Sequence, residues 1–224
     1  MSEFVMLKTA DGLEIGAYVA RPEGSPIGGL VVVQEIFGVN AHIRAVADGY
    51  AKDGFLAVAP AMFDRFEKGV ELGYDAEGWK AAMGFAGRLN PADSLHDVAA
   101  AIDFAAAESG KKVGVVGYCF GGSMAWLAAT RLKVAVAVGY YGGMIGKFAT
   151  EKPTAPVMLH FGSLDAHIPA SVGEAVKAAS PEVEVYSYDA GHAFNRDADP
   201  TAYVAEAAEL ARSRSVEFLK KNLG

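Results

Sequence analysis

Residues 112–129 constrain this chain more than any other stretch. Lys112-Val113-Gly114-Val115-Val116 is a short β-branched run, and Gly122-Ser123-Met124-Ala125-Trp126-Leu127-Ala128-Ala129 reads as helix. Between them lies Gly117-Tyr118-Cys119-Phe120-Gly121, carrying the only cysteine of the 224 residues. Strand must therefore turn sharply into helix at Cys119. On so tight a turn, side chains two residues to either side would collide with the neighbouring strand and helix, which is the physical need for Gly117 and Gly121. Free cysteine is otherwise among the most buried residue types. The flanking glycines and the strand-to-helix switch argue instead for a thiol put on display. A helix start behind it offers unpaired backbone N–H groups and a positive dipole end, which favour a thiolate or an oxyanion.

The rest of the chain alternates in the same manner. Leu13 to Ala20 reads as a first, edge strand, and Gly29-Leu30-Val31-Val32-Val33-Gln34 as a strand covered on both faces. Ala41 to Lys52 reads as helix with Gly54 at its end, followed by a short strand at Leu56 to Ala59. Helices are expected at Ala76 to Arg88 and Ser94 to Ser109, the second closed by Gly110. Beyond the turn at Cys119 come strands at Val134 to Val138, Val157 to Phe161 and Val183 to Tyr188. Helices are expected from Ser171 and from Thr201 to Lys221. This alternation predicts an α/β chain with a doubly wound, mostly parallel sheet and helices on both faces, in a single domain spanning residues 1–224.

Composition narrows the function. The formal net charge of −7, with no Lys/Arg stripe, argues against nucleic-acid binding. No apolar run approaches the ~20 residues of a membrane span, and Met1 to Lys8 lacks the pattern of a signal peptide. A lone cysteine cannot form an internal disulfide, so a reducing cytoplasm is the expected setting. No metal-ligand spacing or phosphate loop is present, so neither metal nor cofactor is expected.

Strand, Gly-x-Cys-x-Gly, helix is the nucleophile elbow of the α/β-hydrolase fold with sulfur replacing the serine oxygen, and in that fold an acid and then a histidine follow the nucleophile. His192, just beyond the last predicted strand, holds the base's station, and Asp165, after the preceding strand, holds the acid's. His160, inside an apolar strand, reads as a satisfied core histidine, and His167 as a minor competitor for the base. Asp189 lies too near His192 in sequence to reach back to its Nδ1. Glu35 ends an apolar strand, where an unpaired carboxylate is costly to bury, so as an isolated residue it would turn to solvent. The backbone N–H groups of Ile36 and Phe120 are the expected oxyanion hole.

Gln34-Glu35-Ile36-Phe37-Gly38, Gly117-Tyr118-Cys119-Phe120-Gly121-Gly122, Gly139-Tyr140-Tyr141-Gly142, the Asp165 loop and Gly191-His192-Ala193-Phe194 together resemble dienelactone hydrolase (carboxymethylenebutenolidase). The resemblance implies a Cys-His-Asp esterase, built on Cys119, His192 and Asp165, that opens an unsaturated lactone bearing a free carboxylate. It further implies that Glu35 contacts the thiol and helps activate it, and that arginines hold the substrate carboxylate. Arg196 matches one of these. The second has no unambiguous match, Arg65 and Lys80 being the available cations, and Tyr141 joins them as a substrate-binding candidate. The expected partner is thus a small anionic lactone or ester, with no nucleic acid or membrane, for a monomer or small homo-oligomer. Two alternatives stay open: a carboxylesterase for another small ester or lactone, and a non-catalytic or redox-sensing thiol protein.

Overall fold

The computed structural model describes residues 1–224. Its eight strands are β1 (Ser2–Lys8), β2 (Glu14–Ala20), β3 (Gly28–Val33), β4 (Phe55–Pro60), β5 (Val113–Tyr118), β6 (Val136–Tyr140), β7 (Val157–Gly162) and β8 (Glu184–Tyr188). They form one sheet in the order β1-β2-β4-β3-β5-β6-β7-β8, in which only β2 runs antiparallel to its neighbours. The helices are α1 (Ala41–Lys52), α2 (Ala76–Ala86), α3 (Pro91–Ser109), α4 (Phe120–Arg131), α5 (Ser171–Ala179) and α6 (Ala205–Leu223). Every residue of β3, β4, β5, β6 and β7 is buried, as required of parallel strands covered on both faces.

The order of the strands fixes where a site can form. From β3 the chain crosses through α1 to β4 on one side, then returns through α3 to β5 on the other side of β3. Right-handed crossovers in opposite directions put α1 and α3 on opposite faces, and α4 follows α3 while α6 packs beside α1, Arg212 stacking on Tyr50 at 4.0 Å. The crevice beyond the carboxyl ends of β3 and β5 is therefore a topological switch point, where ligands bind in open α/β sheets.

One expected strand changes position. The chain begins with β1, which pairs with β2 over seven residues, so the strand expected at Leu13 to Ala20 is interior and β1 is the edge. In β1 the apolar Phe4 and Met6 face solvent at 57% and 59% exposure, and only Leu7 is buried. Without a clean apolar alternation, Ser2 to Lys8 carried no strand signal. Other boundaries move by a few residues. The last helix starts at Ala205 rather than Thr201, and α1 is capped by Asp53 in ordinary helical geometry, Gly54 following at φ 102°.

Candidate active site

Cys119 sits between β5 and α4 at φ 54° and ψ −115°, a conformation that L-residues rarely adopt and that costs about 1–3 kcal/mol. Its surroundings hold it there: its N–H donates to the Tyr140 carbonyl at 3.0 Å, and the Gly121 N–H donates to the Gln34 carbonyl at 3.1 Å. The glycines are obligatory. A Cβ at Gly117 would lie 2.0 Å from the Gly121 oxygen, one at Gly121 would lie 2.3 Å from the Val33 oxygen, and one at Gly122 would lie 2.2 Å from the Tyr140 oxygen.

A second pair of neighbouring strands, β7 and β8, supplies two more groups. A Cβ at Gly162 would lie 2.2 Å from the Ala190 oxygen, so the loops leaving these strands run in backbone contact. The Ser163 N–H donates to the Tyr188 carbonyl at 2.7 Å and the Leu164 N–H to that of Ala190 at 3.0 Å. This stitching sets Asp165 Oδ2 2.7 Å from His192 Nδ1, while Asp165 Oδ1 accepts from the His167 backbone N–H at 2.8 Å. An ionised carboxylate can only accept, so Nδ1 carries the hydrogen and Nε2 turns its lone pair to Cys119 Sγ, 3.2 Å away. The structure thus joins Cys119, His192 and Asp165 in one hydrogen-bonded series, and Asp165 rather than Asp189 partners His192.

The thiol is pushed up to about 12, first by burial and then by the Glu35 carboxylate, with the Phe120 N–H and Arg196 pulling the other way. At neutral pH the sulfur is protonated at rest. The Phe120 N–H, at the first turn of α4, has no intrahelical acceptor, and the Ile36 N–H in the loop after β3 makes no backbone hydrogen bond. The Ile36 amide is thus free for an oxygen arriving from outside, and the Phe120 amide is engaged only by the Cys119 sulfur.

Glu35 does not turn to solvent, and its hydrogen bonds go to Arg196 and none to the Cys119 thiol, which corrects the expectation of a direct contact with the sulfur. It is 1% exposed, and its two oxygens accept from Arg196 Nε at 2.9 Å and Nη2 at 3.0 Å. Arg196 is 2% exposed, donates also to Asp199 Oδ2 at 3.2 Å, and lies over the rings of Phe37 and Tyr74 at 5.0 and 4.7 Å. In this arrangement the guanidinium is committed to protein carboxylates rather than presented to a substrate. Arg65 likewise binds Asp97 Oδ2 and Asp11 Oδ2, each at 2.7 Å, which corrects its candidacy as a substrate cation. Lys80 is exposed on α2, one residue after Trp79. Tyr141, buried at φ 38°, packs its ring 5.1 Å from that of His192, and its hydroxyl has no protein partner. His160 is the satisfied core histidine expected: Nδ1 lies 2.8 Å from the Tyr188 hydroxyl and Nε2 2.9 Å from Ser215 Oγ, with burial pushing it down to about 3.

Sequence reasoning missed the aromatic cage of Phe37, Tyr74 and Trp79 around Arg196, and Asp199 as its second anion. The spacing Arg196-x-x-Asp199 was the available signal. The cage had none, because a bridge between Gly38 and Glu71 and the Leu72 N–H bond to the Phe37 carbonyl bring its two halves together.

The profile of the Dienelactone hydrolase family matches residues 15–223. The chain belongs to the dienelactone hydrolase family. A carboxymethylenebutenolidase of Pseudomonas putida is 35% identical over 228 residues, covering 98% of this chain and 96% of the relative. A Klebsiella pneumoniae structure described as that of a candidate dienelactone hydrolase superposes with a TM-score of 0.83 at 29% identity, over 97% of this chain and 98% of that one. A dienelactone hydrolase-like promiscuous phosphotriesterase from metagenomic libraries shares the fold, with a TM-score of 0.81 at 23% identity and coverage of 100% and 99%. As a dienelactone hydrolase-family member with the α/β-hydrolase fold, the protein is a hydrolase acting on carboxylic esters.

Proposed function

We propose that this protein opens a small unsaturated lactone bearing a carboxylate, the conversion of dienelactone to maleylacetate being the type reaction, with Cys119 as nucleophile, His192 as base and Asp165 as its orienting acid. The observation that carries this reading is the placement of His192, 2.7 Å from Asp165 and 3.2 Å from the only thiol in the chain. The names and full-length coverage of the relatives support the substrate class. Action in cytoplasmic breakdown of aromatic compounds belongs to the same reading.

Because the thiol is protonated at rest, attack and proton transfer must be coupled. His192 Nε2 takes the proton as Sγ bonds to the lactone carbonyl carbon, and the imidazolium is stabilised by Asp165. The carbonyl oxygen gains charge between the N–H groups of Ile36 and Phe120. Collapse breaks the ring C–O bond, the electron pair leaves as an enolate, and His192 returns the proton. Water then attacks the thioester with His192 again as base, which releases the thiol and a second carboxylate. Glu35, whose charge opposes ionisation of Cys119, keeps the resting sulfur protonated, so the proton leaves for His192 only as Sγ bonds to the carbonyl carbon.

A second reading, a carboxylesterase for small neutral esters, is favoured by one observation: Arg196 is already paired with Glu35 and Asp199. Steady-state rates on cis- and trans-dienelactone beside a neutral aryl acetate separate the two. Cys119→Ala should lower kcat by roughly a thousandfold or more on whichever substrate is turned over. Retention of full activity by that variant removes Cys119 from the chemistry.

A further inference from the structure

We propose that His167 is a specificity residue that grips an anionic group on the leaving-group side of the substrate; this rests on His192 acting as the proton donor to the leaving oxygen. A general acid must stand within about 3 Å of the oxygen that it protonates, so the leaving group lies beside the His192 ring. Two rings flank that imidazole: Tyr141, fully buried with centroids 5.1 Å apart, and His167, exposed, with centroids 5.6 Å apart and planes at 88°. A substituent that projects from the leaving oxygen towards solvent passes His167.

The placement of His167 is not loose. Its backbone N–H donates to Asp165 Oδ1, the same carboxylate that orients His192, so its position is tied to the reacting centre. The charged or titratable groups facing it are that carboxylate, held by its own backbone, and the His192 ring. Its side chain makes no hydrogen bond or ion pair in the protein, and both ring nitrogens are open to a ligand. Arg196 and Arg65, by contrast, each serve two protein carboxylates. Among the cations considered for the substrate, only Lys80 on α2 is similarly uncommitted.

An imidazole carries charge at the acid end of the pH 5–8 range and loses it at the basic end, so anion preference gripped by histidine must fade as pH rises. The probes are 3-acetoxybenzoate and its methyl ester, which differ in one charge on the leaving group. The ratio of their kcat/KM values cancels the pH dependence of the shared chemistry. For the unmodified protein that ratio should fall about twofold to fivefold between pH 5.5 and pH 8, the range of one exposed ion pair. His167→Gln should flatten the profile at its low, high-pH value, and His167→Arg should hold it at the high value up to pH 8. A ratio that keeps its pH dependence in His167→Gln, or that changes only in Lys80→Ala, overturns the proposal. Hydrolysis of neither probe, with dienelactone still turned over, overturns this proposal alone, and hydrolysis of both by Cys119→Ala overturns the parent reading and this one with it.

Discussion

Arg196 is held by two hydrogen bonds to Glu35 and a third to Asp199, with almost no exposure. Removing one partner of such a pair leaves the other charge buried and uncompensated. Arg196→Ala should therefore lower unfolding stability by about 3–5 kcal/mol, read from urea denaturation. Activity on carboxylate and neutral substrates should fall together, because the damage is to Glu35 and its loop rather than to one substrate contact. The double variant Glu35→Gln with Arg196→Met should recover much of the stability without recovering the rate. Both residues stood out in the sequence, yet their pairing did not. They are 161 positions apart, and only the meeting of the loop after β3 with the loop after His192 makes them partners.

At the scale of elements, the elbow was legible because its constraint is local: Gly117 and Gly121 flank Cys119 in sequence and are crowded by backbone in space. Gly121→Ala, whose Cβ would meet two carbonyl oxygens within 2.6 Å, should yield no folded protein, as judged by circular dichroism. The order Cys119, Asp165, His192 was readable for a similar reason, since each sits just past a strand with its own local signal, an apolar run in β5 and β7 and an alternating one in β8. The cage around Arg196 was not, because it depends on how residues 66–75 drape over Phe37. The packing of β7, β8 and α6 gives a pH-dependent prediction. His160 joins Tyr188 to Ser215 and is neutral in the fold down to about pH 3, whereas an unfolded histidine protonates near pH 6.5. Below that, the unfolded chain binds a proton that the native state refuses, so stability falls with falling pH. Between pH 7 and pH 5 this one group should remove about 2 kcal/mol, measured as the difference in urea unfolding between the unmodified protein and His160→Gln.

For the whole molecule, the sheet order puts catalysis and the amino-terminal edge at a distance. β1 lies four places from β5 and buries only Leu7. Deleting residues 1–8 should lower Tm by several degrees, at about 2–4 °C for each kcal/mol lost in a domain of this size, while kcat/KM stays within twofold. The same deletion bares the edge of β2, whose Ile15, Ala17 and Val19 are fully buried, so light scattering should show association. The parallel core was readable from continuous Val/Ala/Leu runs at Gly28–Val33 and Val113–Tyr118. The edge strand was not, because a strand with one covered side and mixed polarity leaves no periodic trace.

The protonated state of Cys119 bears on how the protein lasts between turnovers. Oxidants and alkylating agents attack thiolates, and a thiol moved from 9.0 to about 12 offers them roughly a thousandfold less at neutral pH. In the proposed mechanism, an electrophile that seats a carbonyl between Ile36 and Phe120 would bring His192 into play and meet a competent sulfur, whereas a passing peroxide would not. Chemical durability and turnover therefore come from one arrangement. In air, an assay of iodoacetamide uptake should find the lone sulfur slow to react for as long as the fold persists.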